Sequence, residues 1–208
     1  MVTETLIVGP FQVNCYIVGC EESGEGMIID PGDEAEVIVA RFRELGLKLK
    51  YILLTHGHVD HISAVAEVRH ALGGKIAMNE KDHFLVESAG AQAAIFDLQP
   101  PAPFTVDQNL SDGDQLTVGT LAFKVLETPG HSPGGICFQS DVAVFVGDTL
   151  FFDSIGRTDL PGGSYEQLLR SIRDKLLPLP DNVRVFPGHG QPTSIGRERK
   201  YNPFLTGD

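Results

Sequence analysis

The feature that most constrains the fold is an apolar run at residues 51–54, followed at once by four histidine and aspartate side chains within six residues. The run suits a strand buried on both faces, and residues 61–72 then show the apolar spacing of a helix that ends at a glycine pair. The motif His56-Gly57-His58-Val59-Asp60-His61 therefore lies where a strand passes into a helix. Since open α/β sheets bind ligands at the carboxyl ends of their strands, the sequence predicts an α/β fold with a functional site there.

Strand-rich and helical segments occur twice along the chain, which predicts two similar halves. The predicted strands are residues 4–8, 14–18, 27–29, 51–54, 121–126, 136–139, 142–146 and 184–186, and the predicted helices are residues 37–45, 61–72 and 165–177. Two such halves favour a four-layer αβ/βα sandwich, in which each of two packed sheets carries a helical layer outside. We interpret the proline-rich residues 99–104 as a connection inside one domain and expect residues 1–208 to form a single domain.

The dense motif has the composition of a metal site. Residues two apart in an extended segment can face the same way, so His56 and His58 can bind one cation, while Asp60 and His61 serve another. The alternative is a polar turn, but each of these groups would then need its own hydrogen-bond partner if buried. Imidazole and carboxylate ligands suit zinc, iron and manganese better than calcium.

Three later segments place single metal-binding groups after apolar strands. His131, Asp148 and His189 each follow a predicted strand and are each preceded by glycine. Glycine allows positive φ and close backbone approach, which suits loops that direct a side chain inward. Together with the first motif, these residues make seven candidate metal ligands.

The order His-x-His-x-Asp-His, then His131, Asp148 and His189, resembles the metallo-β-lactamase superfamily over nearly the whole chain. The resemblance implies an αβ/βα sandwich with the site at one edge and two divalent metal ions, zinc as first choice and iron or manganese as alternatives. It also implies the ligand sets. One metal is held by His56, His58 and His131, the other by Asp60, His61 and His189, and Asp148 bridges them.

Four further stretches are similar to the glyoxalase II group, and in particular to its short single-domain bacterial branch of hydroxyacylglutathione hydrolase-like proteins. They are Asn14-Cys15-Tyr16, Asp30-Pro31-Gly32, Gly156-Arg157-Thr158-Asp159 and Tyr201-Asn202-Pro203-Phe204. This resemblance implies hydrolysis of thioesters of the S-lactoylglutathione type by a hydroxide that bridges the two metals. We expect no counterpart of the C-terminal helical domain that supplies much of the glutathione-binding surface in full-length glyoxalase II.

Other functions remain open at this point. Persulfide dioxygenases share the fold and the Gly-Arg-Thr-Asp stretch but use a single iron, and some redox proteins reuse the scaffold beside a flavin domain. We do not expect a β-lactamase, because the resemblance to those enzymes stops at the shared ligands. A serine hydrolase is not indicated, since no serine lies in a Gly-x-Ser-x-Gly sequence.

Several residues near the predicted site have two interpretations. Asp60 can orient the attacking hydroxide as well as bind metal. Arg157 can bind a substrate carboxylate in bidentate fashion or pair with Asp159. Asp30 can support the metal loop from behind or simply form a turn.

We expect the remaining histidines and the cysteines to be idle. His70 and His83 lie outside the strand-end loops and are predicted to be solvated surface residues. Cys15, Cys20 and Cys137 are predicted to be buried or unreactive thiols, because a chain of this size does not need disulfides.

The formal net charge of −12 argues against binding to nucleic acid or to an anionic membrane, which requires clustered Lys and Arg. The N-terminus lacks a basic segment followed by an apolar run, and no stretch approaches the roughly 20 apolar residues of a membrane span. We therefore expect a cytoplasmic protein that binds neither nucleic acid nor a membrane. The resemblance to the glyoxalase II group implies a small-molecule thioester as its partner. The sequence does not indicate an oligomeric state.

Overall fold

The computed structural model describes residues 1–206. Its strands are β1 (Val2–Val8), β2 (Val13–Gly19), β3 (Glu25–Ile29), β4 (Lys48–Leu53), β5 (Lys75–Met78), β6 (Gln108–Asn109), β7 (Gln115–Val118), β8 (Leu121–Glu127), β9 (Ile136–Gln139), β10 (Ala143–Gly147), β11 (Leu150–Phe151), β12 (Ser154–Ile155), β13 (Arg184–Pro187) and β14 (Thr193–Ser194). Its α-helices are α1 (Ala35–Glu44), α2 (Val59–Ile62), α3 (Val65–Leu72), α4 (His83–Glu87), α5 (Ala89–Ile95), α6 (Tyr165–Ser171), α7 (Ile195–Tyr201) and α8 (Pro203–Thr206). A 3₁₀ turn, Glu80–Asp82, precedes α4, and a π-helical turn, Ile172–Leu176, extends α6.

The strands form two main sheets of six strands each, and the pair β11 and β12 forms a small third one. The order in the first sheet is β1-β2-β3-β4-β5-β6, and the order in the second is β14-β13-β10-β9-β8-β7. The first three strands pair antiparallel as a meander, and β3 to β6 then pair in parallel. In the second sheet, β10 and β13 pair in parallel, with α6 in the connection between them.

Alternation along the strands produces four layers with an apolar core between each pair of neighbouring layers. In β2, Cys15 and Ile17 face α1 and α3, whereas Tyr16 and Val18 face the second sheet. Side chains of the second sheet alternate in the same way, since Phe138 packs between the sheets and its neighbour Cys137 packs against α6 and α7. The αβ/βα sandwich predicted from the sequence is therefore confirmed.

The predicted helix at residues 61–72 is wrong in one respect, because the structure breaks it into α2 and α3. The turn at Asp30-Pro31-Gly32 packs against the break. The Ala64 N–H donates to the Pro31 carbonyl at 3.0 Å instead of continuing the helical ladder to Asp60. A Cβ on Gly32 would overlap the Asp60 carbonyl oxygen, so only glycine permits this close approach. A tertiary contact thus ends a helix that local apolar spacing would continue.

Some elements escaped the sequence pattern. The strand β5 and the helices α4 and α5 follow the predicted site, and α7 and α8 end the described chain. These helices are short, so few turns were available to reveal a period. The proline-rich residues 99–104 have no regular structure and connect α5 to β6 of the first sheet, and Phe104 packs on the first core. Within residues 1–206, no helix combines the length and the apolar character needed to cross a membrane.

Truncation of the core between the sheets tests this layer assignment. Phe138 is 0% exposed, so we expect Phe138→Ala to lower the free energy of unfolding by about 3–5 kcal/mol through lost burial and the cavity left behind. Equilibrium denaturation in urea measures the change. The matched control is Val142→Ala, at a position 55% exposed, which we expect to stay within about 0.5 kcal/mol of wild type. Equal effects of the two substitutions would contradict the assignment.

Candidate metal centre

The candidate site lies at the edge where the carboxyl ends of strands from the two main sheets come together. His56, His58 and Asp60 follow β4, while Asp148 follows β10 and His189 follows β13. Backbone hydrogen bonds join the sheets at this edge, from Asn14 N–H to the Gly188 carbonyl and from Ile136 N–H to the Thr55 carbonyl. All seven residues predicted as metal ligands come together here.

The first group of side chains is made of imidazoles and is buried. His56, His58 and His131 offer nitrogen atoms that all lie within 4.8 Å of one another. The Nδ1 atom of His58 is 2.9 Å from the Nε2 atom of His131. The three residues are 2%, 8% and 5% exposed, so this group is closed to bulk solvent.

The second group contains a carboxylate and is more open. Asp60, His61 and His189 place one ligand atom each within 4.8 Å of the others. The Nε2 atom of His189 is 3.4 Å from Asp60 Oδ2, and the Nε2 atom of His61 is 3.7 Å from the same oxygen. His61 is fully buried, whereas the side chains of Asp60 and His189 are 20% and 29% exposed.

Asp148 lies between the two groups. Its Oδ1 atom is 3.5 Å from His61 Nε2, and its Oδ2 atom is 3.6 Å from both His131 Nε2 and His189 Nε2. One carboxylate therefore faces histidines of both groups. The backbone around it is fitted closely, since a Cβ on Gly156 would overlap the Asp148 carbonyl oxygen.

Unpartnered buried atoms test whether the residues fit a metal ion. His56 Nε2, His61 Nε2 and Asp148 Oδ1 are buried and lack a hydrogen-bond partner within the described part of the chain. A buried polar atom without a partner costs free energy, so three at one place need an explanation. Metal ions held by the two groups would give each of these three atoms a partner. The nitrogen and carboxylate donors are those that zinc, iron and manganese accept.

Electrostatics in the first group favours neutral ligands. Burial holds the pKa of His56 well below its usual value, and the positive charge that His61 and His131 can carry lowers it further. Burial, with His131 and His61 nearby, lowers the pKa of His58 to about 3. Both imidazoles are therefore neutral at pH 7 and can offer a nitrogen lone pair to a cation.

The second group has the opposite balance, because carboxylates surround His61. Burial alone would lower the pKa of His61, but Asp60, Asp148 and Asp30 together raise it to about 10. Burial likewise opposes ionisation of Asp60, yet His61 and His189 hold the pKa of that carboxyl well below its usual range. The carboxylates stabilise a positive charge at this point, whether a proton or a cation supplies it.

Asp30 supports the second group from behind, as one of the two sequence interpretations proposed. Its Oδ1 atom accepts from Thr55 N–H at 2.8 Å, and its Oδ2 atom accepts from the Thr55 hydroxyl at 2.6 Å. The same Oδ2 is 3.0 Å from His61 Nδ1, which fixes the ring so that Nε2 points into the site. Asp30 also forms the turn, with φ of 51°.

The loop that carries His189 is held by two residues to which the sequence assigned no role at the site. The Asn14 amide donates to the carbonyls of Pro187 and Gly190 at 3.0 and 2.8 Å, and the Tyr16 hydroxyl donates to Pro187 at 2.5 Å. Burial raises the pKa of Tyr16 well above its usual range, so the hydroxyl remains a donor. The stretch Asn14-Cys15-Tyr16 appeared in the sequence only as a family resemblance, because its partners lie more than 170 residues away.

The other predicted residues have mixed outcomes. Arg157 and Asp159 form a two-contact ion pair at 2.7 Å, as the simpler interpretation holds, and the Arg157 carbonyl accepts from His131 Nδ1 at 2.8 Å. Contact between Arg157 and a substrate stays a prediction.

The remaining histidines and the cysteines were predicted to be idle. His70 is exposed as expected. The expectation for His83 is wrong, since that residue, at the start of α4, is half-buried and its Nε2 atom is inaccessible to solvent. The three cysteines are free and buried, as predicted.

Comparison with known proteins agrees with this geometry. A family model described as the metallo-β-lactamase superfamily matches residues 8–189. A curated relative from Haemophilus influenzae, named hydroxyacylglutathione hydrolase GloC, is 45% identical over 206 residues. The match covers 97% of this chain and 97% of the relative.

Solved structures with the same fold include proteins with different names. BLEG-1, described as a B3 metallo-β-lactamase, has a TM-score of 0.92 at 38% identity, over 99% of this chain and 100% of its own. TTHA1623, solved in a di-iron-bound form, has a TM-score of 0.89 at 41% identity, over 97% of this chain and 100% of its own. ETHE1 from Myxococcus xanthus has a TM-score of 0.85 at 29% identity, over 100% of this chain and 86% of its own.

A single added methyl group tests the geometry of the site. A Cβ on Gly188 would overlap Asp148 Oδ1 and lie 2.7 Å from His61 Cε1. We expect Gly188→Ala to weaken metal binding by about 10-fold or more while the circular dichroism spectrum is retained, because the change displaces ligands without removing them. Metal content after dialysis against a weak chelator measures this.

The control for this substitution is Gly90→Ala in α5. There a Cβ would meet only Pro100 Cβ, at an ordinary 3.8 Å, and alanine favours the helix. Metal retention by Gly188→Ala equal to that of the control would contradict the geometry.

Proposed function

The chain belongs to the metallo-β-lactamase superfamily, and on that premise we propose that it is a metal-dependent hydrolase of thioesters, with S-lactoylglutathione and related hydroxyacylglutathione thioesters as its substrates. The observation that carries the proposal is the arrangement of seven side chains in two groups with Asp148 between them. The Haemophilus influenzae relative supports the substrate class, because its name is that of a hydroxyacylglutathione hydrolase and the two chains match over 97% of each.

We assign two divalent metal ions to these groups. His56, His58 and His131 would hold one, Asp60, His61 and His189 would hold the other, and Asp148 would bind both. Zinc is our first choice on ligand chemistry, with iron or manganese as alternatives. Iron gains support from the di-iron form of TTHA1623, which shares 41% of its residues with this chain.

Metal ions at this place would polarise a substrate carbonyl and lower the pKa of a bound water far enough to supply hydroxide near neutral pH. The protein contributes position. Asp148 faces both groups, and Asp30 fixes the ring of His61 so that its Nε2 stays in the site. The closed imidazole group excludes bulk water from one side, so the thioester must approach over the more open group of Asp60 and His189.

Asp60 and Arg157 have further roles in this proposal. The Asp60 carboxylate is partly open to solvent and accepts hydrogen bonds only, so it can orient the water that attacks the carbonyl. Arg157 lies beside the imidazole group through its carbonyl contact with His131, and its exposed guanidinium could exchange Asp159 for a substrate carboxylate. The two carboxylates of a glutathione moiety are of this kind.

A second candidate is persulfide dioxygenation on a single iron. The likeness to ETHE1 over the whole chain favours it, as does the stretch Gly156-Arg157-Thr158-Asp159. The full second group, Asp60, His61 and His189, argues for two metals and so for hydrolysis. Oxygen consumption with glutathione persulfide separates the two reactions.

Hydrolysis of β-lactams is the third reaction that the comparisons raise. The likeness to BLEG-1 covers 99% of this chain at 38% identity and so extends beyond the shared ligands, contrary to the expectation from sequence. The identity to the GloC relative is 45% over a similar length, which favours the thioester. A chromogenic cephalosporin provides the test.

The decisive experiment measures metal content and turnover on the same preparations. Protein loaded separately with zinc, iron or manganese is assayed with S-lactoylglutathione, an acyl thioester without glutathione, glutathione persulfide under oxygen, and a chromogenic cephalosporin. We expect thioester hydrolysis with two metals per chain. If the fully loaded protein hydrolysed neither thioester, the proposed function would be rejected.

Removal of the bridging carboxylate tests the assignment of Asp148. We expect Asp148→Ala to lose metal affinity and thioester turnover together, each by at least about 100-fold. Changing a residue that only hydrogen-bonds a metal ligand already lowers metal affinity or activity by about 10- to 100-fold. The fold should remain, because the close polar contacts of the Asp148 carboxylate are with His61, His131 and His189 of the site. Metal analysis, turnover and circular dichroism report the three quantities.

Asp141→Ala is the matched control, because this exposed aspartate precedes β10 at the end opposite Asp148. It should leave metal content and turnover unchanged. An Asp148→Ala protein with two bound metals and full activity would show that the bridging assignment is incorrect.

A further inference from the structure

A buried carboxylate outside the seven metal-binding residues connects the two loops of the imidazole group. Asp82 lies in the 3₁₀ turn that follows β5, and it is 0% exposed. The surrounding sequence, Glu80-Lys81-Asp82-His83, looks like a solvated surface segment. The structure instead places Asp82 beneath the site.

Each oxygen of Asp82 accepts hydrogen bonds from a loop that carries a histidine. Its Oδ2 atom accepts from Gly57 N–H at 3.0 Å and from the Ser132 hydroxyl at 2.7 Å, and its Oδ1 atom accepts from Gly134 N–H at 2.6 Å. Gly57 separates two of the imidazole ligands, and Ser132 directly follows the third. One side chain therefore binds both segments that supply the imidazole group.

The backbone is shaped to admit this contact. A Cβ on Gly57 would lie 2.8 Å from the Asp82 carbonyl oxygen, and a Cβ on Gly134 would lie 2.7 Å from the Asp82 nitrogen. Distances under 3.0 Å do not occur for real Cβ atoms, so both loops need glycine to close on Asp82. Gly57 lies inside the metal motif and Gly134 lies three residues after His131, and neither has a ligand role of its own.

Burying this carboxylate carries a cost that the three donors only partly offset. Burial raises the pKa of Asp82 despite the hydrogen bonds from Ser132, Gly134 and Gly57. A buried acid is weak support for stability alone, because well-packed apolar residues often serve as well or better. Its position between the two loops points to a role in geometry.

We propose that Asp82 is the positioning residue of the imidazole group, and that it sets the spacing of His58 and His131, whose facing nitrogens are 2.9 Å apart. Asp30 has a similar relation to the other group through His61, and through the Thr55 hydroxyl it also supports His56. Asp82 differs from Asp30 in binding both loops that carry the imidazole group. The proposal rests on the proposed metal-binding function.

Cobalt(II) is the probe, because its visible absorption bands report the ligands of each bound ion. Metal-free full-length protein is titrated with cobalt(II), and the affinity and spectrum of each equivalent are recorded. The His189→Ala protein identifies the bands of the imidazole group. Thermal unfolding of the metal-free protein measures stability separately.

Asp82→Asn is the main variant, since it keeps the shape but places an NH₂ where one oxygen accepted a hydrogen bond. We expect the cobalt equivalent of the imidazole group to bind about 10- to 100-fold more weakly and its bands to shift, with the other equivalent little changed. Ser132→Ala removes one of the three donors and should give a smaller loss in the same equivalent. It decides the matter if Asp82→Asn does not fold.

Glu198→Gln is the matched control. Glu198 is also a fully buried carboxylate, but it accepts from Asp153 N–H, the Thr193 hydroxyl and the Asn202 amide, away from both histidine loops. It should lower the unfolding temperature and leave both cobalt equivalents unchanged.

The positioning role would be overturned if the Asp82→Asn and Ser132→Ala proteins bound cobalt(II) with wild-type affinity and bands and showed only a lower unfolding temperature. That result would leave the proposed function intact. If wild-type protein binds no cobalt(II), the metal function and the positioning role both fail.

Discussion

Backbone hydrogen bonds between the two sheets hold the rest of the structure in place. The bond from Asn14 N–H to Gly188 and the bond from Ile136 N–H to Thr55 tie the ends of strands that belong to different sheets. Because of these ties, residues from 56 to 189 meet at one edge. The large apolar core between the sheets supplies the free energy, but it is non-directional. The hydrogen bonds give the register without which the histidines would not converge.

The sequence predicted which side chains cluster better than it predicted the elements around them. The seven candidate ligands were recognisable because histidine and aspartate stood directly after apolar strands, a position that the strands themselves define. The helix at residues 61–72 was predicted as continuous because its apolar period runs through Ser63 and Ala64. Only the tertiary contact of Ala64 with Pro31 reveals the break.

The supporting residues could not be predicted for the same reason. Asp82 and His83 stand among charged neighbours, so composition predicts exposure, whereas the packing of the 3₁₀ turn and α4 under the site buries them wholly or in part. Asn14 and Tyr16 bind carbonyls more than 170 residues away. A pattern in one sequence carries no information on such pairs. Asp30 was accessible to reasoning only because the Asp-Pro-Gly turn has a local signature.

The difference in exposure between the two groups has a consequence for how the site exchanges with its surroundings. The imidazole group is under 9% exposed at each residue, whereas His189 has 29% of its side chain in contact with solvent. Solvent therefore contacts the His189 side of the site far more than the imidazole side. We expect a chelator to reach the ligands of the His189 group before those of the imidazole group.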